Sequence, residues 1–164
     1  MNRRSLSAEA LNSSPSSSSK PQPTSTKKTS DRWTIVCMII GLTNVLNALW
    51  MLIAPAHWFY NLPFNVPAFG PLNYHFIRDL GAIFLLTGVG LLHAGYYPIY
   101  RVPLFTVNTA FYVLHMCVHI FEVVSGRVEL SMFWTDLPGV YVPAIICSIL
   151  NIILIRQNQN KRTL

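Results

Sequence analysis

The chain has 164 residues, of which 52% are hydrophobic and only 11% charged, and its mean hydropathy is +0.40. Soluble domains carry about a quarter charged residues, so this composition excludes an ordinary soluble globular protein and points to lipid as the solvent. The net charge of +6 resides in the ends, which hold Arg3, Arg4, Lys20, Lys27, Lys28, Arg32, Arg156, Lys161 and Arg162. No basic stripe is interleaved with aromatics, so the charge reads as membrane topology and attraction to anionic lipid, and a nucleic-acid partner is not expected.

Residues 1–31 are rich in Ser, Thr, Pro, Asn and Lys. Such a segment buries too little apolar surface to offset its chain entropy, and it reads as a disordered cytoplasmic tail. No apolar run precedes Trp33, so no secretory signal peptide is expected. The Arg-rich, acid-poor start partly resembles a mitochondrial transit peptide, but an endomembrane or the plasma membrane is the favoured location over the mitochondrial inner membrane.

Four apolar segments follow, at about 33–54, 74–97, 102–125 and 137–155. Each is close to the roughly 20 residues a helix needs to cross the hydrocarbon core. The fold class expected is therefore all-α, an integral membrane four-helix bundle over residues 32–156, followed by a basic C-terminal tail at 157–164. Both tails and the 98–101 turn with Arg101 are basic, which predicts that both termini are cytoplasmic. Loop 55–73 has no charge and carries Trp58, Phe59, Tyr60, Phe64 and Phe69, as an interfacial anchor or a lid over the helix ends would. Cys37, Cys117 and Cys147 all fall in apolar runs and read as buried small hydrophobes.

The second segment opens N-Y-H-F-I-R-D, with Asn73 as a helix N-cap. His75 and Asp79 share a face, on which His93 also falls. Arg78 points elsewhere, because adjacent residues on a helix do not face each other. Arg78 is expected to seek Glu122 or Asp136 on another helix, and Asp79 to seek His115 or His119. Gly81, Gly88 and Gly95 form a small-residue side of the same helix, so both sides are expected to meet protein.

In the third segment Asn108, Tyr112, His115, His119 and Glu122 fall within an arc of roughly 80°, one polar stripe along an apolar span. Such a stripe must point into the bundle. His115 and His119 could hold a metal ion with Glu122 as a third donor, or belong to a hydrogen-bonded network. The fourth segment begins T-D-L-P-G, where Thr135 or Asp136 would cap it and Pro143 would kink it. Asn44 and Asn47 on the first segment are candidates for interhelical hydrogen bonds. Topology then gathers His75, Arg78, Asp79, His115, His119, Glu122 and Asp136 at the non-cytoplasmic ends of three helices. A cluster of this kind suits a small ligand, a lipid headgroup or a redox partner. It equally suits an enzyme or redox subunit using haem, metal or quinone, or a lock on helix packing in a structural or assembly protein.

The segment P-L-N-Y-H-F-I-R-D-L-G, the H-x-x-x-H-x-x-E of the third helix and the D-L-P-G of the fourth resemble small four-helix membrane proteins of the broader DoxX-like class. The resemblance covers most of residues 33–156. It implies a four-helix membrane fold and, for some relatives, association with respiratory or thiol redox systems. Partners expected are the lipid bilayer, a second copy of the chain or another membrane protein.

Overall fold

The computed structural model describes residues 31–160; residues 1–30 of the expected disordered tail lie outside them, while Asp31 is described. The described chain is helical, with four helices long and apolar enough to cross a membrane. Helix α1 spans Arg32–Ile53, and Asp31 caps it by accepting from the Thr34 amide at 2.9 Å. A short helix, α2 (Pro55–Asn61), follows directly, with its proline in the first turn where no amide donor is needed. A 3-10 turn at Val66–Phe69 leads into α3 (Tyr74–Tyr96), capped by Asn73 as expected. A second 3-10 turn, Pro98–Tyr100, precedes α4 (Arg101–Val124). The fourth span is composite: α5 (Ser131–Asp136), a π turn (Leu137–Tyr141) and α6 (Val142–Asn160).

The start of α1, the end of α3, the start of α4 and the end of α6 gather at what we call the terminal end. Trp33 Nε1 donates to Gln157 Oε1 there at 2.9 Å, so both ends of the described chain lie on one side. Next to it sits an apolar cluster of Trp33, Cys37, Leu91, Ala94, Phe105 and Leu154. A second cluster, Met51, Trp58, Phe59 and Ile77, fills the far end between α1, α2 and α3.

Without a hydrophobic drive between helices in lipid, close packing decides their association. The glycine face of α3 lies against α1 as the spacing predicts. A Cβ on Gly88 would stand 2.9 Å from the Cβ of Asn44 and the carbonyl of Gly41, and Gly41 in turn meets the Gly88 carbonyl. The opposite face of α3, with His75, Asp79 and His93, is exposed. The expectation that protein covers both faces is therefore not met within one chain.

Three further readings are corrected. The fourth span starts at Ser131 and not near Leu137, so Asp136 is an interior residue and not a cap. Its helix begins earlier because the chain turns tightly after α4, through Gly126 at φ +70, leaving Ser131–Asp136 free to wind. The deformation expected at Pro143 occurs one turn earlier. Pro143 has no amide hydrogen for the Gly139 carbonyl, and the ladder opens into the wider i to i+5 pattern, with the Val142 amide bonded to the Leu137 carbonyl. Cys117 is exposed on α4, whereas Cys37 and Cys147 are buried.

Candidate functional site

The polar stripe of α4 turns into the bundle over most of its length. Near mid-height Asn108 is fully buried and accepts from Asn44 Nδ2 at 2.9 Å. Asn44 also reaches Thr87 Oγ1 at 3.4 Å and accepts from the Tyr112 hydroxyl. One α1 amide thus ties α1 to α3 and α4, and the expected interhelical role of Asn44 is met. Asn47 accepts from Trp58 Nε1 at 3.0 Å, joining α1 to α2. A helix interior without water leaves a polar group only such partners.

Toward the far end the stripe becomes ionisable. His115 stacks on Phe111, with ring centroids 5.9 Å apart, and its edge meets the His119 ring at 4.6 Å. His119 Nδ1 lies 2.8 Å from Asp136 Oδ2. The Asp136 side chain is 1% exposed and that of His119 16%. Asp136 reaches this position because α5 continues the fourth span toward the far end, so it packs against α4 rather than ending a helix. The π turn that follows rotates Tyr141 toward the same side. Its ring packs on Phe133, and its hydroxyl is buried without a partner among the described residues. Wide turns of this kind recur at functional sites.

The aromatic loop roofs the pair. Phe69 sits 4.9 Å from the His119 ring, and Phe64 presses on the π turn so closely that a Cβ on Gly139 would fall 2.5 Å from it. Asn65, in the left-handed region at φ 49, directs its amide to Met132 Sδ at 3.7 Å. Beside this roof opens a cavity of about 330 Å³ walled by Asn65, Ala68, Met132 and Ser131, with Arg127 and Glu129 at its charged edge. Neither His119 nor Asp136 lines this cavity; Met132, one turn before Asp136 on the same face of α5, and Ala68, next to Phe69, are its links to the pair.

The other expected members stand apart. His75 and Asp79 pair with each other at 3.3 Å on the exposed face of α3. Arg78 lies over the Tyr74 ring at 5.9 Å and reaches neither Glu122 nor Asp136. Glu122 instead accepts from Arg127 at 3.2 Å. The set His115, His119 and Glu122 is accordingly not gathered around one point, and no group of three such donors placed to hold a metal ion occurs among the described residues. His57 accepts from Trp50 Nε1 at 3.0 Å, on the α1 and α2 side.

In the sequence Arg101 stands out only as a mark of topology. The structure buries it at the terminal end, where Nη1 bonds Asp31 Oδ2 and Nη2 bonds Thr34 Oγ1, each at 2.7 Å. Its Nε donates to the Ala94 carbonyl at 3.2 Å. One guanidinium therefore joins α1, α3 and α4. Its one signal in the sequence was that an Arg and an Asp both fall at helix starts on the same side.

Comparison with known families, curated proteins and solved structures found no match to this chain.

Proposed function

We propose that this multi-pass membrane protein binds a small polar ligand, or the headgroup of a lipid, in the far-end cavity that Met132 links to Asp136 and His119. The observation that carries the reading is the buried pair itself. A carboxylate 1% exposed is held by one imidazole under an aromatic roof, and Met132, one turn away, lines a cavity of about 330 Å³. Buried ionisable groups within a membrane span are costly and usually belong to a site. Arg127, Glu129, Ser131 and Asn65 around one small space favour a ligand that carries both an acidic and a basic group. The motif resemblance to DoxX-like proteins leaves a redox partner as a further occupant of the same site.

The test uses phosphoethanolamine as probe, with inorganic phosphate and ethanolamine as single-charge controls. Binding at a hundred times the dissociation constant stabilises the folded state by about 2.7 kcal/mol. Phosphoethanolamine should raise the unfolding temperature of the detergent-purified chain, and Arg127→Ala or Glu129→Gln should abolish the rise. No stabilisation by any of the three probes at millimolar concentration would sink the proposal.

A second reading has its own support. Each carboxylate of the expected cluster has a partner in the same chain: Asp79 with His75, Glu122 with Arg127, Asp136 with His119. A cluster satisfied in this way serves equally as a lock on helix packing. The two readings separate in His119→Gln: loss of the phosphoethanolamine-induced stabilisation in a variant that stays folded would contradict a lock alone.

We infer that both termini are cytoplasmic. Among the described residues Arg32, Arg101 and Arg156 lie toward the terminal end and only Arg78 and Arg127 toward the far end, and the sequence beyond both ends of the described chain is basic. Asn12-Ser13-Ser14 is a glycosylation sequon, and the inference fails if Asn12 receives a glycan when the chain is inserted into microsomes.

A further inference from the structure

The face of α3 turned away from the bundle carries ionisable residues that this chain leaves uncovered. His75, Asp79, Ala82, Leu86, Val89 and His93 recur at alternating steps of four and three residues, and all are exposed. That alternation is the seam spacing of a coiled coil. The side chains of His75 and Asp79 are 88% and 61% exposed. Asp79 lies five residues past Tyr74, the first residue of α3, which is about 7–8 Å along the axis. A carboxylate facing lipid at that depth is costly, and such residues turn toward protein in membrane bundles. Arg78 is exposed as well and makes none of the four ion pairs found among the described residues. It cannot pair with Asp79 of its own helix, because neighbours point about 100° apart.

We propose that this face of α3 is the interface of a parallel homodimer in which Arg78 of each copy pairs with Asp79 of the other. Charge complementarity selects the occupant. A twofold axis along the bilayer normal brings identical residues of two copies to the same depth, and an interface of this type must complement itself. Asp79 stands in the seam and Arg78 at its flank, so each guanidinium faces the carboxylate of the second copy and the contact is made twice. Ala82 follows and lets the two backbones approach, while Leu86 and Val89 fill the seam below. His93 ends the seam beside Tyr97 and Tyr100, with ring centroids 4.6 and 5.1 Å away. The glycine face of the same helix is already occupied by α1 and takes no part. The dimer stands independently of the ligand site proposed above.

The experiment reconstitutes the full chain at low density in vesicles and counts subunits by single-molecule photobleaching. The wild type should bleach in two steps. Arg78→Asp alone and Asp79→Arg alone should each lower the dimer fraction at least tenfold, and the two combined should restore it. Two-step bleaching at wild-type frequency in both single variants would overturn the proposal, as would a monomeric wild type. A second measurement does not depend on how the charge reversals fold. With exposed Cys117 replaced by Ala, Leu86→Cys should form a disulfide-linked dimer under mild oxidation, and Ile149→Cys on the outward face of α6 should not. Cross-linking at Ile149 but not at Leu86 would overturn the α3 interface.

Discussion

His119 Nδ1 lies 2.8 Å from Asp136 Oδ2, and this contact joins α4 to the composite fourth span within the far half of the bundle. Both groups lie where water is scarce, so neither has an inexpensive substitute for the other. Removing one partner of a buried pair leaves the second unsatisfied and costs about 3–5 kcal/mol. His119→Ala is expected to lose stability in that range in a detergent or bicelle unfolding assay. Asp136→Asn keeps an acceptor for the imidazole without the charge, and it should lose distinctly less. Equal losses in the two variants would mean that a neutral hydrogen bond cannot replace the charge, and a neutral Asp136→Asn would mean that the charge is irrelevant.

The α1–α3 contact at Gly88 makes a steeper steric prediction. A methyl group there would fall 2.9 Å from Asn44 Cβ and from the Gly41 carbonyl, and neither is a flexible side-chain end. Overpacking of this kind costs about 1–3 kcal/mol. Gly88→Ala should therefore destabilise the fold, and Gly88→Val more so, while Gly90→Ala on the same helix should be nearly neutral. Gly90 has only a Leu104 methyl at 3.6 Å. A neutral Gly88→Val variant would contradict the packing.

Asn44 is the hub of the mid-height polar layer, bonded to Thr87, Asn108 and Tyr112. Interhelical hydrogen bonds in membranes average about 0.6 kcal/mol and reach about 1.7. Asn44→Leu should cost about 1–3 kcal/mol, since it also strands the buried Asn108. A double-mutant cycle with Asn108→Leu should show coupling of at least about 0.6 kcal/mol. Strict additivity would show that the two amides do not interact.

The Asp31–Arg101 contact predicts a pH dependence. Burial by itself raises the Asp31 pKa, but the hydrogen bonds from Arg101 and the Thr34 amide and the guanidinium charge outweigh it and hold the carboxyl below its usual 3.8. A folded-state pKa depressed in this way adds stability above the unfolded value and loses it as pH falls through the folded one. Asp31 is about half exposed, so the effect is small. The wild type should exceed Asp31→Asn in unfolding temperature at pH 6, and the two should converge as pH falls through the depressed folded-state pKa. A difference that persists once Asp31 is protonated would show that its charge is not the cause, since Asn caps a helix as well as Asp.

The one-dimensional pattern determined the four spans, the shared side of the two ends and the glycine seam. Each follows from a local rule: the length needed to cross hydrocarbon, the parity of the spans, and a small residue at every seventh position. The inward turn of the α4 stripe was equally legible, because Asn108, Tyr112, His115 and His119 on one face of an apolar helix can satisfy themselves only inside protein. Which side chain meets which was decided by the tertiary structure. Asp136 looked like a helix cap, and it pairs with His119 because the fourth span starts six residues earlier than expected and carries it past α4. Arg78 and Asp79 looked destined for α4 and the fourth span, yet the rotation of α3 is set by α1 pressing on Gly81, Gly88 and Gly95, and that rotation turns them outward. Arg101 looked like a topological mark and is a clamp. Periodicity specifies a face of one helix, but partners depend on the relative rotation and height of two, and those are fixed only when all the faces pack at once.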